Sequence, residues 1–143
     1  MRVILDTNVL ISYLLAPEKP RTITYVVEAC FTESIELVMP EELLDELRTS
    51  IAKSTYLNQR IAEAQVDQFV ASLKAVAITP AKLADTFPEY TADPDDDYLV
   101  AYAVVHEIDY LVTGDPHLLV LNQVRSTGVV LPAVFLQFLK RNE

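Results

Sequence analysis

The chain has 143 residues, of which 51% are hydrophobic, and a formal net charge of −10. That length corresponds to one domain, residues 1–143, with room for a real core, and no apolar run approaches the roughly 20 residues that span a bilayer. The single cysteine, Cys30, excludes an internal disulfide and a thiolate metal site; packing beside Val26, Val27 and Phe31 is its expected role.

In chain order, Arg2 to Leu5 is an apolar first strand, starting too early to leave room for a signal peptide. A cytoplasmic address is the corresponding expectation. Asn8 to Leu15 reads as a short helix, 16–20 as a turn around two prolines, and Arg21 to Phe31 as a helix. Ile35 to Met39 is a strand. Pro40 then opens a helix over Glu41 to Lys53, with Leu43, Leu44, Leu47 and Ile51 at helical spacing. Asn58 to about Leu73 is a further amphipathic helix, and Val76 to Ile78 a short strand. A polar connection leads to Asp93, followed by an apolar helix over Tyr98 to His106 and a strand at Tyr110 to Thr113. Pro116 to Leu121 is a short helix, Val129 to Leu131 the last strand, and Pro132 to Lys140 the last helix. Alternation of this kind implies a three-layer α/β/α sandwich around a mostly parallel sheet.

Two strands stop at or just before a carboxylate, at Asp6 and Asp115. In a parallel sheet the ligand crevice lies outside the carboxyl ends of the strands, so both carboxylates face one crevice. A third acidic group, Asp93, Asp95, Asp96 and Asp97 around Pro94, opens the helix between them. From Lys82 to Arg125 there is no other Lys or Arg, while Asp85, Glu89, Glu107 and Asp109 add further negative charge. Two carboxylates about 4 Å apart repel by roughly 4 kcal/mol at an effective dielectric of 20. A divalent cation relieves that repulsion. Asp85, Glu89 and Asp95 read more simply as a solvated acidic surface. Basic residues gather earlier, at Lys19, Arg21, Arg48, Lys53 and Arg60.

Taken together, residues 5–12 (LDTNVLIS), 41–47 (EELLDEL), 93–97 (DPDDD) and 111–115 (LVTGD) resemble the four successive signatures of PIN-domain nucleases. The closest likeness is to the branch that forms the toxin components of toxin–antitoxin systems, in which the last motif precedes a leucine pair, here Leu118 and Leu119. The resemblance implies a metal-dependent ribonuclease acting on RNA phosphodiester bonds, with Asp6, Glu46, Asp96 and Asp115 as the catalytic and metal-binding carboxylates. Asp6 also reads as a helix N-cap, Asp115 as the cap of the next helix, and Glu46 alone as a solvated helix residue. Asp93 before Pro94 reads as an N-cap, and Asp96 falls where it completes a capping box; Asp96 is preferred to Asp97 as the inward carboxylate. Thr7, Asn8 and Thr113 are placed to orient the carboxylates by hydrogen bonds.

Hard oxygen donors with no His or Cys in the motifs favour Mg²⁺ or Mn²⁺. His106 and His117 read as surface or packing residues. An RNA substrate and a protein antitoxin are the implied partners. Tyr13, Leu14, Tyr25 and Val26 read equally as a homo-oligomer interface or as ordinary core. Two further readings remain open: a catalytically silent PIN-fold module that binds RNA or protein, and a Mg²⁺-dependent phosphatase. The latter is weakened by Asn8, which stands where a second acid is needed. A calcium loop at Asp93 fails, because Tyr98 replaces the required glycine and Val104 the required glutamate.

Overall fold

A computed structural model describes residues 1–83 and 94–141, without the side chains of 94 and 95. Five strands, β1 (Arg2–Leu5), β2 (Glu36–Leu37), β3 (Tyr110–Val112), β4 (Gln123–Val124) and β5 (Thr127–Val130), form one sheet in the order β2-β1-β3-β5-β4. All pairings are parallel except the β4–β5 edge. Eight described helices connect and cover the strands: α1 (Thr7–Leu15), α2 (Thr22–Ala29), α3 (Glu41–Lys53), α4 (Thr55–Asn58), α5 (Glu63–Val76), α6 (Pro94–Val105), α7 (Pro116–Leu119) and α8 (Pro132–Arg141).

Side chains alternate faces along a strand, yet Val3, Ile4 and Leu5 are all fully buried, as are Leu111 and Val112. Consecutive burial means that both faces of the sheet are covered, which makes the molecule a three-layer α/β/α sandwich. On one side α8 packs on α2 and β3, with Phe135 and Phe138 against the ring of Tyr110. The core extends through Leu43, Leu44 and Leu47 of α3 to Val66, Val70 and Leu73 of α5. Cys30 belongs to this core, and burial pushes its thiol up to about 12. Leu14 and Val26 are buried and Tyr13 stacks on Phe69, so of the four residues that read as core or interface only Tyr25 is largely exposed.

Three expectations are corrected. The helix anticipated from Asn58 begins only at Glu63, and Asn58 instead ends a separate short helix. Ser54 accepts from the Leu57 N–H and starts α4, which ends at Asn58, and Ile61 plugs into the core between α4 and α5. The helical pattern then runs on to Val76, so the strand near Val76 to Ile78 shrinks to one parallel bridge, Val38 to Ile78. The final hairpin begins earlier than Val129: β4, entered through Asn122 at positive φ, pairs with Thr127 and Gly128 across a turn where Arg125 also takes positive φ. Val124 is the one apolar residue in that two-residue edge strand, too short a run to mark it in the sequence. The expected Asp93 cap lies outside the described residues.

Candidate functional site

Strand register assembles the centre of the site. Leu5 pairs with Val112 across β1 and β3, so the next residues, Asp6 and Thr113, stand side by side beyond the carboxyl ends of the two strands. The Asp6 N–H donates to the Val112 carbonyl at 2.9 Å, and the Thr113 N–H to that of Val130. Asp6 is 6% exposed and Thr113 fully buried. The Thr113 hydroxyl donates to Asp6 Oδ2 at 2.7 Å and accepts from the Asp115 N–H at 3.0 Å. Asn8 completes the lock. Its Nδ2 donates to Asp6 Oδ2 at 2.9 Å, and its Oδ1 accepts from the Gly114 N–H at 3.0 Å. One hydroxyl and one amide thus tie the end of β1 to the loop after β3.

Both sheet-edge aspartates also cap helices. Asp6 Oδ1 accepts from the Thr7 N–H at the start of α1, and Asp115 Oδ1 from the His117 N–H at the start of α7. Capping and a chemical role are compatible, because a carboxylate offers about four acceptor positions. Thr7 contributes its backbone N–H, whereas its buried Oγ1 has no hydrogen-bond partner among the described residues. His117 is exposed, with Nδ1 3.4 Å from Asp115 Oδ1. Burial raises the Asp6 carboxyl above the usual carboxylate range, and the charge of Asp115 adds to the rise. Hydrogen bonds from Thr113, Thr7 and Asn8 pull the other way without cancelling it. Ionised Asp6 is therefore held in an environment that a cation would favour. An open cleft of ≈ 490 Å³ adjoins the site, lined by Asn8, Ser12, Ile23, Gly114 and Asp115.

Glu46 lies on α3. It is half-buried, and its Oε2 accepts from the Tyr98 hydroxyl on α6 at 2.6 Å. The Tyr98 phenol is raised well above its ordinary value by burial, then by its bond to Glu46 and by the charges of Glu46, Asp6 and Glu42. Tyr98 therefore lies within electrostatic reach of both Glu46 and Asp6. One turn along each helix the contact repeats, with the Tyr102 hydroxyl donating to Glu42 Oε2 at 2.6 Å. Sequence reasoning missed both tyrosines, although matched i, i+4 pairs were present on α3 and α6.

In the first turn of α6, Asp97 is 5% exposed and Asp96 half-buried. Asp97 lies on the stripe of buried Val100 and Ala101 and Asp96 on that of buried Leu99 and Val100, and Asp96 Oδ2 is itself buried, so both side chains have an inward component. Among the described residues, no group of three or more His, Cys, Asp or Glu side chains is drawn together tightly enough to hold an ion. The donors fit a hard divalent cation in kind, since Asp6, Asp115, Glu46 and the acidic turn of α6 are oxygen donors.

A mostly parallel sheet with carboxylates beyond adjacent strands defines an α/β protein with an acidic crevice at its carboxyl edge. A family model described as PIN domain matches residues 2–117, and the chain belongs to that family. The structure of VapBC2 from Rickettsia felis bound to a DNA fragment from its promoter is similar to it, with a TM-score of 0.55 and 14% identity. The match covers 90% of this chain and 97% of that one. At that identity the likeness is one of fold. No curated protein sequence matches the chain significantly. Among the described residues no helix is long and apolar enough to cross a membrane.

Proposed function

We propose that the chain is a single-domain, metal-dependent endoribonuclease acting in the cytoplasm, the toxin of a toxin–antitoxin pair whose partner is a protein antitoxin. The observation that carries this reading is the convergence of Asp6, Asn8, Thr113 and Asp115 across β1 and β3. Membership of the PIN-domain family supports nuclease chemistry, and the likeness to a VapBC complex supports the antitoxin partnership.

In this reading Asp6, Asp115, Glu46 and the acidic turn of α6 hold Mg²⁺ or Mn²⁺. When bound, such an ion supplies Lewis acidity at the scissile phosphate and neutralises charge developing there. Thr113 and Asn8 fix the Asp6 carboxylate so that it does not rotate away when substrate approaches. The cleft beside Asp115 gives the RNA backbone its approach, and cations outside the acidic edge, such as Arg48 and Lys53, would steer phosphates toward it. Asp97 joins Asp96 as a candidate because of its deeper burial.

The test is cleavage of a single-stranded RNA oligonucleotide with and without Mn²⁺, together with calorimetric Mn²⁺ titration of Asp96→Asn and Asp97→Asn. Mn²⁺-dependent cleavage is expected, with the inward carboxylate's variant losing about tenfold or more in Mn²⁺ affinity and its neighbour losing little. Absence of both cleavage and Mn²⁺ binding in the wild-type protein would leave a catalytically silent binding module.

A further inference from the structure

Two contacts of the same kind join α3 to α6. Tyr98 donates to Glu46 and Tyr102 donates to Glu42, each at 2.6 Å and one helical turn apart. The rings meet edge to face with centroids 6.4 Å apart. Their surroundings differ. Tyr102 is fully buried, stacks on His106 and accepts from the Leu83 N–H. That set of partners serves packing. Tyr98 is half-buried near the start of α6, next in the chain to Asp96 and Asp97.

We propose that Tyr98 is a positioning residue for the nuclease site: its hydroxyl holds the Glu46 carboxylate at the acidic crevice, while the matching Tyr102–Glu42 contact only clamps the two helices. The inference rests on the nuclease reading above. Glu46 sits on a helix remote in sequence from both sheet-edge aspartates, and its side chain has three rotatable bonds. A short hydrogen bond from a ring with only two rotatable bonds removes most of that freedom. Fixing a carboxylate before a cation or phosphate arrives is a general task of groups that contact ligands without touching the reacting atoms. Phenol suits it, because a neutral donor orients a carboxylate without the competing positive charge of Lys or Arg.

The two contacts form an internal control. Tyr98→Phe and Tyr102→Phe each remove one hydroxyl from one Tyr–Glu pair between the same helices and retain the ring. Mn²⁺ affinity by calorimetry, and kcat and KM for a fluorogenic single-stranded RNA, are measured for both, each at a temperature where it is fully folded. The expected result is a loss of roughly 10- to 100-fold in Mn²⁺ affinity for Tyr98→Phe. Its kcat should fall while KM for RNA stays near the wild-type value, and Tyr102→Phe should change neither. Tyr98→Phe combined with Glu46→Gln should bind Mn²⁺ no worse than Glu46→Gln alone, because the hydroxyl acts through that carboxylate. Equal Mn²⁺ responses in the two tyrosine variants would overturn the proposal, as would additive losses in the double variant. If the wild-type protein neither binds Mn²⁺ nor cleaves, the nuclease reading itself fails and the positioning role falls with it.

Discussion

The sheet-edge corner and the α3–α6 contact both hold carboxylates in place, but by opposite means. At the corner, Asp6 receives three donors, two on Oδ2 and one on Oδ1, and is almost wholly buried. Between the helices, Glu46 and Glu42 are half-buried, and each accepts from a phenol. The corner is built from backbone register and short side chains with little freedom. The helix pair relies on long side chains held at their tips. The corner is thus fixed by several short contacts, and the helix pair by contacts at side-chain tips.

The largest expected effect breaks the corner chemically. Asp6→Asn should lower metal-dependent RNA cleavage by on the order of 100-fold or more, measured under single-turnover conditions with Mn²⁺. A rate within a few-fold of wild type would exclude Asp6 from the site.

Thr113→Val breaks the corner mechanically. The hydroxyl serves Asp6 Oδ2, the Asp115 N–H and, at 3.3 Å, Asn8 Nδ2. Removing it inside a fully buried position should reduce unfolding free energy by about 2–3 kcal/mol. Urea denaturation at neutral pH checks this. A loss below about 1 kcal/mol would mean that these contacts do not fix the corner.

The smallest effects separate the two regions by pH. The Asp6 carboxyl is raised in the folded protein, so the folded state binds the proton more tightly than the unfolded chain. Stability should therefore fall as pH rises from about 4 through Asp6's elevated folded value, and Asp6→Asn should remove that part of the slope. Tyr102 behaves alike at the alkaline end. Burial, and then its bond to Glu42, push the phenol up to about 12. Stability should fall as pH rises from about 10 toward that value, with a shallower fall in Tyr102→Phe. Thermal melts across both ranges, in wild type and the two variants, test the assignments. An Asp6→Asn profile that matched the wild type at the acidic end would remove the corner from the first assignment.

The corner was legible in the sequence because apolar strands ending in Val-Ile-Leu-Asp and Leu-Val-Thr-Gly-Asp place their polar ends where a parallel sheet has its crevice. Register and strand order were not, yet they decide that Asp6 meets Thr113 before it meets Asp115. The boundaries of α3 were read correctly since its apolar residues repeat at helical spacing and Pro40 starts it. The break between α4 and α5 was hidden, because Ile61 is apolar and fits a continuous helical pattern even though it packs from a loop. Asp96 and Asp97 could not be ranked locally. Adjacent helical residues point about 100° apart, and the phase of α6 is set by packing of Val100 and Tyr102 against the rest of the molecule.

Asp6 and Thr113 are 107 residues apart in the chain. Synthesis runs from the N-terminus, so the first carboxylate is made early and its hydroxyl partner late. Until β3 has been made and docked beside β1, Asp6 has only its local donors, the Thr7 N–H and Asn8, and nothing ties it across the sheet edge. A fragment interrupted anywhere before Thr113 lacks the hydroxyl that ties Asp6 to the far strand, and one that ends before α6 has Glu46 without Tyr98. A truncated chain therefore carries its first carboxylates without the later groups that orient them across the sheet edge.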